Sequence, residues 1–165
     1  VLGSDALAGF EESIAEKIAG YSYVLVGTKE KLMGLITFED LVRPEAKKAV
    51  GALKSLGIRH LTMLTGDNRS AAARVADELG IEYQAELLPR QKLQVIEGMK
   101  AQGTVAMVGD GINDAPALAV ADLGIAMGMA GTDTALETAS VALMADDLAK
   151  VPFVIRLSRR TVAII

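Results

Sequence analysis

The chain has 165 residues, the length of one ordinary domain, and 51% of them are hydrophobic, enough for a buried core. Only three Tyr and three Phe are present, so the core must be mostly aliphatic, as where helices pack on a parallel sheet. A net charge of −4 argues against nucleic acid as the main partner. The absence of Cys excludes disulfides and thiolate metal sites, and no uninterrupted apolar run has membrane-spanning length.

The first part of the chain is predicted to form a helix followed by a hairpin. The apolar spacing between Leu7 and Ala19 is typical of a helix. Two β-rich runs, 21–26 and 31–38, are joined by Gly27-Thr-Lys-Glu30, which predicts two antiparallel strands. The segment Glu39-Asp-Leu-Val-Arg-Pro44 then leads into a helix, because Pro44 suits its first position and Glu45 the positive end of its dipole.

From Pro44 onward, helical and strand patterns alternate at short intervals. This alternation predicts an α/β fold with a right-handed, doubly wound parallel sheet. The predicted strands span 58–64, 82–84, 104–109, 122–127 and 140–144. The predicted helices span about 45–56, 69–79, 90–102, 113–120, 132–139 and 147–160.

The first polar motif follows the strand Ile58 to Leu64 and reads Thr65-Gly-Asp-Asn68. A Thr hydroxyl and successive backbone N–H groups at the start of a helix suit an oxyanion such as phosphate. The single His60 falls inside the predicted strand, and we interpret it as structural because a lone His seldom forms a site.

The second motif, Leu88-Pro-Arg-Gln-Lys92, starts the helix that follows the short strand 82–84. Pro89 lies near its first turn, and Lys92 lies on that turn. Taken alone, Lys92 is explained equally well as a solvated surface charge.

The third motif is the most informative, because an apolar strand runs directly into two carboxylates. Val105 to Val108 predict a strand buried on both faces, Gly109 and Gly111 loosen the loop, and Asn113 and Asp114 open the next helix. Asp110 and Asp114 therefore lie at the carboxyl end of a parallel strand, where open α/β sheets bind ligands. The alternative is a turn in which Asp and Asn only cap a helix.

Near the C-terminus, Arg156, Arg159 and Arg160 precede the apolar run Thr161-Val-Ala-Ile-Ile165. We expect residues 147–158 to pack on the sheet as an amphipathic helix. Residues 161–165 would begin a transmembrane segment, because basic residues mark the cytoplasmic flank of such segments.

Thr65, Lys92, Asp110 and Asp114, in that order, resemble motifs two to four of the haloacid dehalogenase superfamily. Thr65-Gly-Asp-Asn68 together with Gly109-Asp-Gly-Ile-Asn-Asp-Ala-Pro-Ala-Leu118 resembles the phosphorylation domain of P-type ATPases. The run from Gly131 to Leu148, followed by Arg156-Leu-Ser-Arg-Arg160, is similar to the heavy-metal-transporting branch, and to its zinc and cadmium members more than its copper members. The resemblance covers essentially the whole chain.

The resemblance implies an ATP-driven cation pump that forms an aspartyl-phosphate with Mg²⁺. It gives catalytic roles to Thr65 and Lys92, which would contact the phosphoryl oxygens, and to Asp114, which would orient the loop. Asp110 would ligate Mg²⁺.

Four further roles are implied in the same way. Gly66 and Asp67 would shape the phosphate- and nucleotide-binding loop, and Asn113 would donate to phosphate or to metal-bound water. Asp40 and Arg43 would belong to the hinge between two domains.

In this family the phosphorylated aspartate lies in an Asp-Lys-Thr-Gly-Thr motif, which does not occur here. We therefore expect the chain to be part of a longer pump whose upstream segment holds the nucleophile. Residues 1–38 would be the tail of the nucleotide-binding domain and its return strand, and 39–160 the second part of the phosphorylation domain. The partners would be the remainder of the pump, at the cytoplasmic face of a cell membrane, and a transported divalent metal ion.

Two other functions remain open at this stage. A soluble phosphatase of the same superfamily would share the Thr, Lys and paired Asp, but it would need its own Asp-x-Asp after a strand, which the sequence lacks. A non-catalytic phosphate- or nucleotide-binding module would bind ligand without turnover.

Overall fold

The computed structural model describes residues 21–28, 31–38, 41–109, 114–128 and 139–164. The predicted helix 7–19 lies outside these ranges, as does all but the last residue of the predicted helix 132–139. The strands are β1 Ser22–Gly27, β2 Leu32–Phe38, β3 Thr62–Leu64, β4 Glu82–Gln84, β5 Ala106–Gly109, β6 Leu123–Met127 and β7 Val141–Leu143. The helices are α1 Pro44–Ser55, α2 Arg69–Leu79, α3 Pro89–Lys100, α4 Ala115–Val120 and α5 Lys150–Val162.

The predicted hairpin is confirmed, with β1 and β2 antiparallel and Val24 opposite Ile36. The N–H of Lys31 donates to the hydroxyl of Thr28 at 3.1 Å and helps to close the turn. Val24, Val26 and Ile36 lie on one face of the hairpin, because paired residues and alternate residues share a side. All three are exposed, so this apolar face has no cover within the described residues.

The remaining strands are parallel, as predicted, but the described ones form two groups instead of one continuous sheet. In one group β3 pairs with β4, and in the other the order is β5-β6-β7. Within the described part of the chain, β3 has no strand partner besides β4, and β5 has none besides β6. Among the strands that the structure describes, β3 and β5 therefore each have one unpaired edge.

The core surrounds β6, whose two faces are covered by different helices. Ile125 and Met127 pack with Val151 of α5, and Leu53 of α1 lies against the same cluster. Ala126 points to the opposite face, where Leu118 of α4 packs against it. Helices on both faces are the mark of a doubly wound sheet.

The start of β3 corrects one prediction. The strand begins at Thr62 and not at Ile58, because the preceding residues close the C-terminal end of α1: the Ile58 N–H donates to the Leu53 carbonyl at 3.1 Å. His60 therefore lies before the strand and not within it. Its side chain is exposed, and Nδ1 lies 3.9 Å from Oε1 of Glu82.

An ion pair at the amino ends of β5 and β6 fixes the end of α3. The Asp122 carboxylate accepts the Val105 N–H at 2.9 Å and lies 3.0 Å from Nζ of Lys100. The hydrogen bond from Val105, followed by that from Lys100, lowers the pKa of Asp122. Lys100 also donates to the Val120 carbonyl at 2.7 Å, so one ammonium group ties α3 to the end of α4.

Gly124 in β6 allows α4 to approach the sheet closely. A Cβ at this position would lie 2.6 Å from the carbonyl oxygen of Leu118, which belongs to the backbone and has little freedom to move. We expect Gly124→Ala to destabilise the fold by about 1–3 kcal/mol, the usual cost of overpacking a core. Urea unfolding measures the change.

Gly98→Ala is the matched control, because Gly98 lies on the exposed side of α3 with nothing within 4 Å of an added Cβ. It should stabilise the chain by about 0.5–1 kcal/mol through the higher helix propensity of Ala. Equal unfolding midpoints for the two variants would contradict the close approach at Gly124.

Candidate functional site

Three strands end near the first turn of α3, where the structure places one residue of each motif: Thr65, Lys92 and Asp114. Thr65 follows β3, and its carbonyl accepts the N–H of Leu87 at 3.0 Å, in the loop that leaves β4. That loop leads into α3, which carries Lys92, and Nζ of Lys92 reaches Asp114 in the segment that leaves β5. Thr65, Lys92 and Asp114 therefore lie beside the carboxyl ends of β3, β4 and β5.

The loop after β3 is held by its own side chains and by the neighbouring loop. The hydroxyl of Thr65 donates to Oδ2 of Asp67 at 2.6 Å and accepts the Asp67 N–H at 3.1 Å. The Asp67 carbonyl accepts the N–H of Glu86 at 2.9 Å. Glu86 has a φ of 59°, a conformation uncommon for residues other than glycine. A Cβ on Gly66 would lie 3.5 Å from the Leu87 carbonyl oxygen.

Lys92 and Asp114 form a largely buried ion pair. Nζ and Oδ1 lie 2.8 Å apart, and each side chain is only 16% exposed. Lys92 is therefore not a solvated surface charge. Asp114 precedes α4 but makes no side-chain capping bond, so the alternative in which this Asp only caps a helix fails.

The two halves of the pair are positioned by rigid helix starts. Pro89 occupies the first position of α3, and the Gln91 side chain accepts the N–H of Leu88 at 2.8 Å. The Asp114 carbonyl accepts the N–H of Leu118 at 2.8 Å, which opens α4. Removing one partner of a buried ion pair leaves an uncompensated charge, so the two helix starts depend on each other electrostatically.

Gly109, at the end of β5, makes room for the Asp114 side chain. A Cβ on Gly109 would lie 2.8 Å from Oδ2 and 2.9 Å from Cβ of Asp114, closer than real contacts allow. The sequence predicted only that this glycine loosens the loop. The contact could have been inferred from the sequence, because Gly109 ends the strand and Asp114 opens the helix that turns back over it.

We expect Gly109→Ala to displace the Asp114 carboxylate and break its contact with Lys92. In the Asp114→Ala background the same change should cost far less, because the clash has been removed. A double-mutant cycle on the free energy of unfolding measures this difference. Equal costs in the two backgrounds would contradict the packing of Gly109 against Asp114.

Three of the predicted site residues are not described by the structure, and a fourth, Arg43, contacts a different partner. Asp110, Asn113 and Asp40 lie outside the described residues, so the metal, phosphate and hinge roles stay predictions. Arg43 is described, and its guanidinium contacts Oδ2 of Asp146 at 2.6 Å. That contact raises the pKa of Arg43, through the hydrogen bond first and the charge of Asp146 second.

The pair of Arg43 and Asp146 links the segment before α1 to the segment after β7. Sequence reasoning did not single out Asp146 as a functional residue. It could have been found, since Asp146 and Asp147 follow the apolar strand pattern 140–144 and so lie at the same edge of the sheet as Asp114.

A family model described as haloacid dehalogenase-like hydrolase matches residues 5–122. The probable cadmium-transporting ATPase of Staphylococcus aureus (strain MRSA252) is 51% identical over 148 residues, which cover 88% of this chain and 20% of that protein. The manganese-exporting P-type ATPase of Mycobacterium leprae (strain TN) is 53% identical over 136 residues, 81% of this chain and 19% of that protein. The chain thus spans about a fifth of the length of these curated relatives.

Among solved structures, the crystal structure of a zinc-transporting PIB-type ATPase in the E2.Pi state matches with a TM-score of 0.77 and 42% identity. The match covers 98% of this chain and 26% of that one. The predicted fold class and the predicted family are both confirmed by these matches. The chain belongs to the haloacid dehalogenase-like hydrolase family, and it is homologous to part of the metal-transporting P-type ATPases.

Proposed function

We propose that the chain is the second part of the phosphorylation domain of a heavy-metal-translocating P-type ATPase, an ATP-driven pump. The observation that supports this proposal most is the largely buried pair of Lys92 and Asp114 beside the Thr65 loop at the carboxyl ends of three strands. The largely buried ammonium group would provide a fixed donor for a phosphoryl group, and the Thr65 hydroxyl would provide a second donor once its proton leaves Asp67. Phosphoryl transfer requires such electrostatic stabilisation.

Each residue then has a role. Lys92 offsets negative charge on the phosphoryl oxygens, and Thr65 donates a hydrogen bond to one of them. Asp114 holds Lys92 in place through the 2.8 Å contact. Gly66 and Asp67 shape the loop beside the nucleotide, and Asn113 donates to phosphate.

Mg²⁺ is the cofactor that we propose for this chemistry, and a carboxylate such as that of Asp110 is a ligand type that suits it. Asp110 directly follows Gly109 at the end of β5, four residues before Asp114. Magnesium is commonly bound by one or two carboxylates with water and substrate phosphates, so Asp110 would hold it. When bound, Mg²⁺ neutralises charge that develops on the transferred group.

Two surfaces support the proposal that the chain works within a longer pump. The open edges of β3 and β5 would accept the strand that carries the nucleophile, and the apolar hairpin face with Val24, Val26 and Ile36 would pack against the nucleotide-binding domain. Residues 1–38 would be the end of that domain, with Asp40 and Arg43 at the hinge. Residues 161–165 would begin a transmembrane segment, and the site would then lie at the cytoplasmic face of a membrane.

The transported substrate would be a divalent metal ion, with zinc or cadmium proposed on the resemblance of residues 131–160. Relatives of this chain carry the names cadmium-transporting, manganese-exporting and zinc-transporting. The names of these relatives differ in the metal ion, as we expect if the residues that select the ion lie in membrane helices outside this chain.

Labelled ATP tests the proposal. We expect no acid-stable, hydroxylamine-labile phosphoenzyme from this chain alone, because it lacks the acceptor carboxylate. The full-length pump should form a clear phosphoenzyme.

In the pump, Asp110→Asn should strongly lower the amount of phosphoenzyme, because Mg²⁺ would bind more weakly. His60→Ala should change this amount little, because the His60 side chain is exposed and lies before β3. A stoichiometric labelled band from this chain alone would contradict the proposed function. Normal labelling of Asp110→Asn at saturating Mg²⁺ would contradict the metal role of Asp110.

A further inference from the structure

Arg43 is the last residue before α1, and its side chain contacts a segment 103 positions later in the chain. The guanidinium donates to Oδ2 of Asp146 at 2.6 Å and to the Asp146 carbonyl at 3.5 Å. The backbone of Arg43 opens α1, because its carbonyl accepts the N–H of Ala46 at 2.9 Å. One residue therefore connects the start of a helix to the segment that follows β7.

The two segments that this contact joins are also held by other interactions. In the segment after β7, the carboxylate and the carbonyl of Asp147 accept the N–H groups of Ala149 and Lys150 at 2.9 and 3.1 Å. The opposite end of α1 is linked to α5, because the guanidinium of Arg159 donates to the Leu56 carbonyl. The contact of Arg43 with Asp146 therefore joins two elements whose positions do not depend on it.

The chain just before Arg43 is held less firmly. The side chain of Leu41 has little packing, since this residue is 81% exposed. The side chains of Arg43 and Asp146 are each 59% exposed, and exposed ion pairs contribute little to stability. We therefore expect this contact to affect the direction in which the chain enters α1 more than the stability of the fold.

We propose that Asp146 is a positioning residue that acts through Arg43 and fixes how the nucleotide-binding domain is joined to the phosphorylation domain. This inference rests on the proposed function, in which residues 1–38 are the end of the nucleotide-binding domain. Asp146 follows β7, and β5, β6 and β7 are parallel, so it lies at the edge of the sheet that carries Asp114. The γ-phosphate of ATP has to reach this edge from the nucleotide-binding domain, and a misplacement of about 1 Å can lower a rate about a hundredfold.

Two routes to the phosphoenzyme of the full-length pump test this role. Labelling from ATP requires the nucleotide-binding domain to deliver the γ-phosphate. Labelling from inorganic phosphate forms the same acyl phosphate with loss of water and needs no nucleotide. We expect Asp146→Ala to lower the rate of labelling from ATP about ten- to a hundredfold and to leave labelling from inorganic phosphate nearly unchanged. A variant that only damaged the fold would lower both.

Asp147→Asn is the matched control, because it removes the same charge from the neighbouring residue and its amide oxygen can still accept the Ala149 N–H. It should leave both labelling rates nearly unchanged. Exchanging the two charges, with Arg43→Asp and Asp146→Arg, should recover part of the rate from ATP.

Three results would overturn the role of Asp146. They are an unchanged rate from ATP in Asp146→Ala, equal losses by the two routes, and no recovery in the exchanged pair. An unchanged pump that neither route labels would contradict the proposed function itself, and the role of Asp146 with it.

Discussion

Lys92→Met in the proposed pump is expected to lower the rate of phosphoenzyme formation about a hundredfold or more, the scale of losing one preorganised electrostatic donor. It should also destabilise the domain by about 3–5 kcal/mol, because Asp114, only 16% exposed, would be left as a buried charge without its partner. Asp114→Asn in the Lys92→Met background should recover part of that stability but none of the activity. Phosphoenzyme formation from labelled ATP and urea unfolding measure the two effects separately.

The structure offers a close control for this variant. Lys100 is on the same helix as Lys92, and Lys100 also pairs with an Asp, but the side chains of Lys100 and Asp122 are 35% and 36% exposed. Lys100→Met should cost about 1 kcal/mol or less and leave phosphorylation unchanged, because exposed pairs contribute little. Equal losses in Lys92→Met and Lys100→Met would show that burial of the first pair has no special role.

Adding the strand that bears the Asp-Lys-Thr-Gly-Thr motif should stabilise the chain more than any single substitution. In the described residues β3 and β5 each have one open edge, and unpaired backbone groups that become buried cost about 1–3 kcal/mol each. Several such costs approach the whole stability of a domain, roughly 5–15 kcal/mol. We therefore expect the chain alone to be marginally stable or prone to aggregation, since open strand edges promote self-association.

Co-expression with the upstream segment of the pump should raise the melting temperature by about 10 °C, at roughly 2–4 °C for each kcal/mol in a domain of this size. Solubility should rise as well. The same segment with Pro at alternate strand positions is the control, because Pro lacks the N–H that a central strand must donate. A sharp, monomeric transition above about 60 °C for the chain alone would show that the sheet closes without that strand.

Local patterns predicted the hairpin, the order of the described elements and the helix starts at Pro44 and Pro89, because each of these depends on neighbouring residues. The sequence predicted a longer β3 than the structure has. The apolar run does not reveal that the N–H of Ile58 donates to the Leu53 carbonyl at the end of α1 and so cannot join the strand.

Local sequence patterns could not predict which side chains contact each other across the fold. The Lys92 and Asp114 contact joins residues 22 positions apart, and its burial depends on how α3 packs against α4. The motifs indicated which residues matter, but not that these two neutralise each other or that Gly109 must lack a Cβ for them to do so.

The hydrogen bond within the Thr65 loop has a consequence for ligand selection. A hydroxyl has one proton to donate, and that of Thr65 is given to Asp67 at 2.6 Å. In the proposed site, an arriving oxyanion would compete for this proton and would also meet the negative charge of Asp67. We expect a phosphoryl group that Lys92 also contacts to displace the Asp67 carboxylate more readily than chloride, which makes fewer contacts. The loop would then select anions by the number of contacts that they make at once, before any chemistry begins.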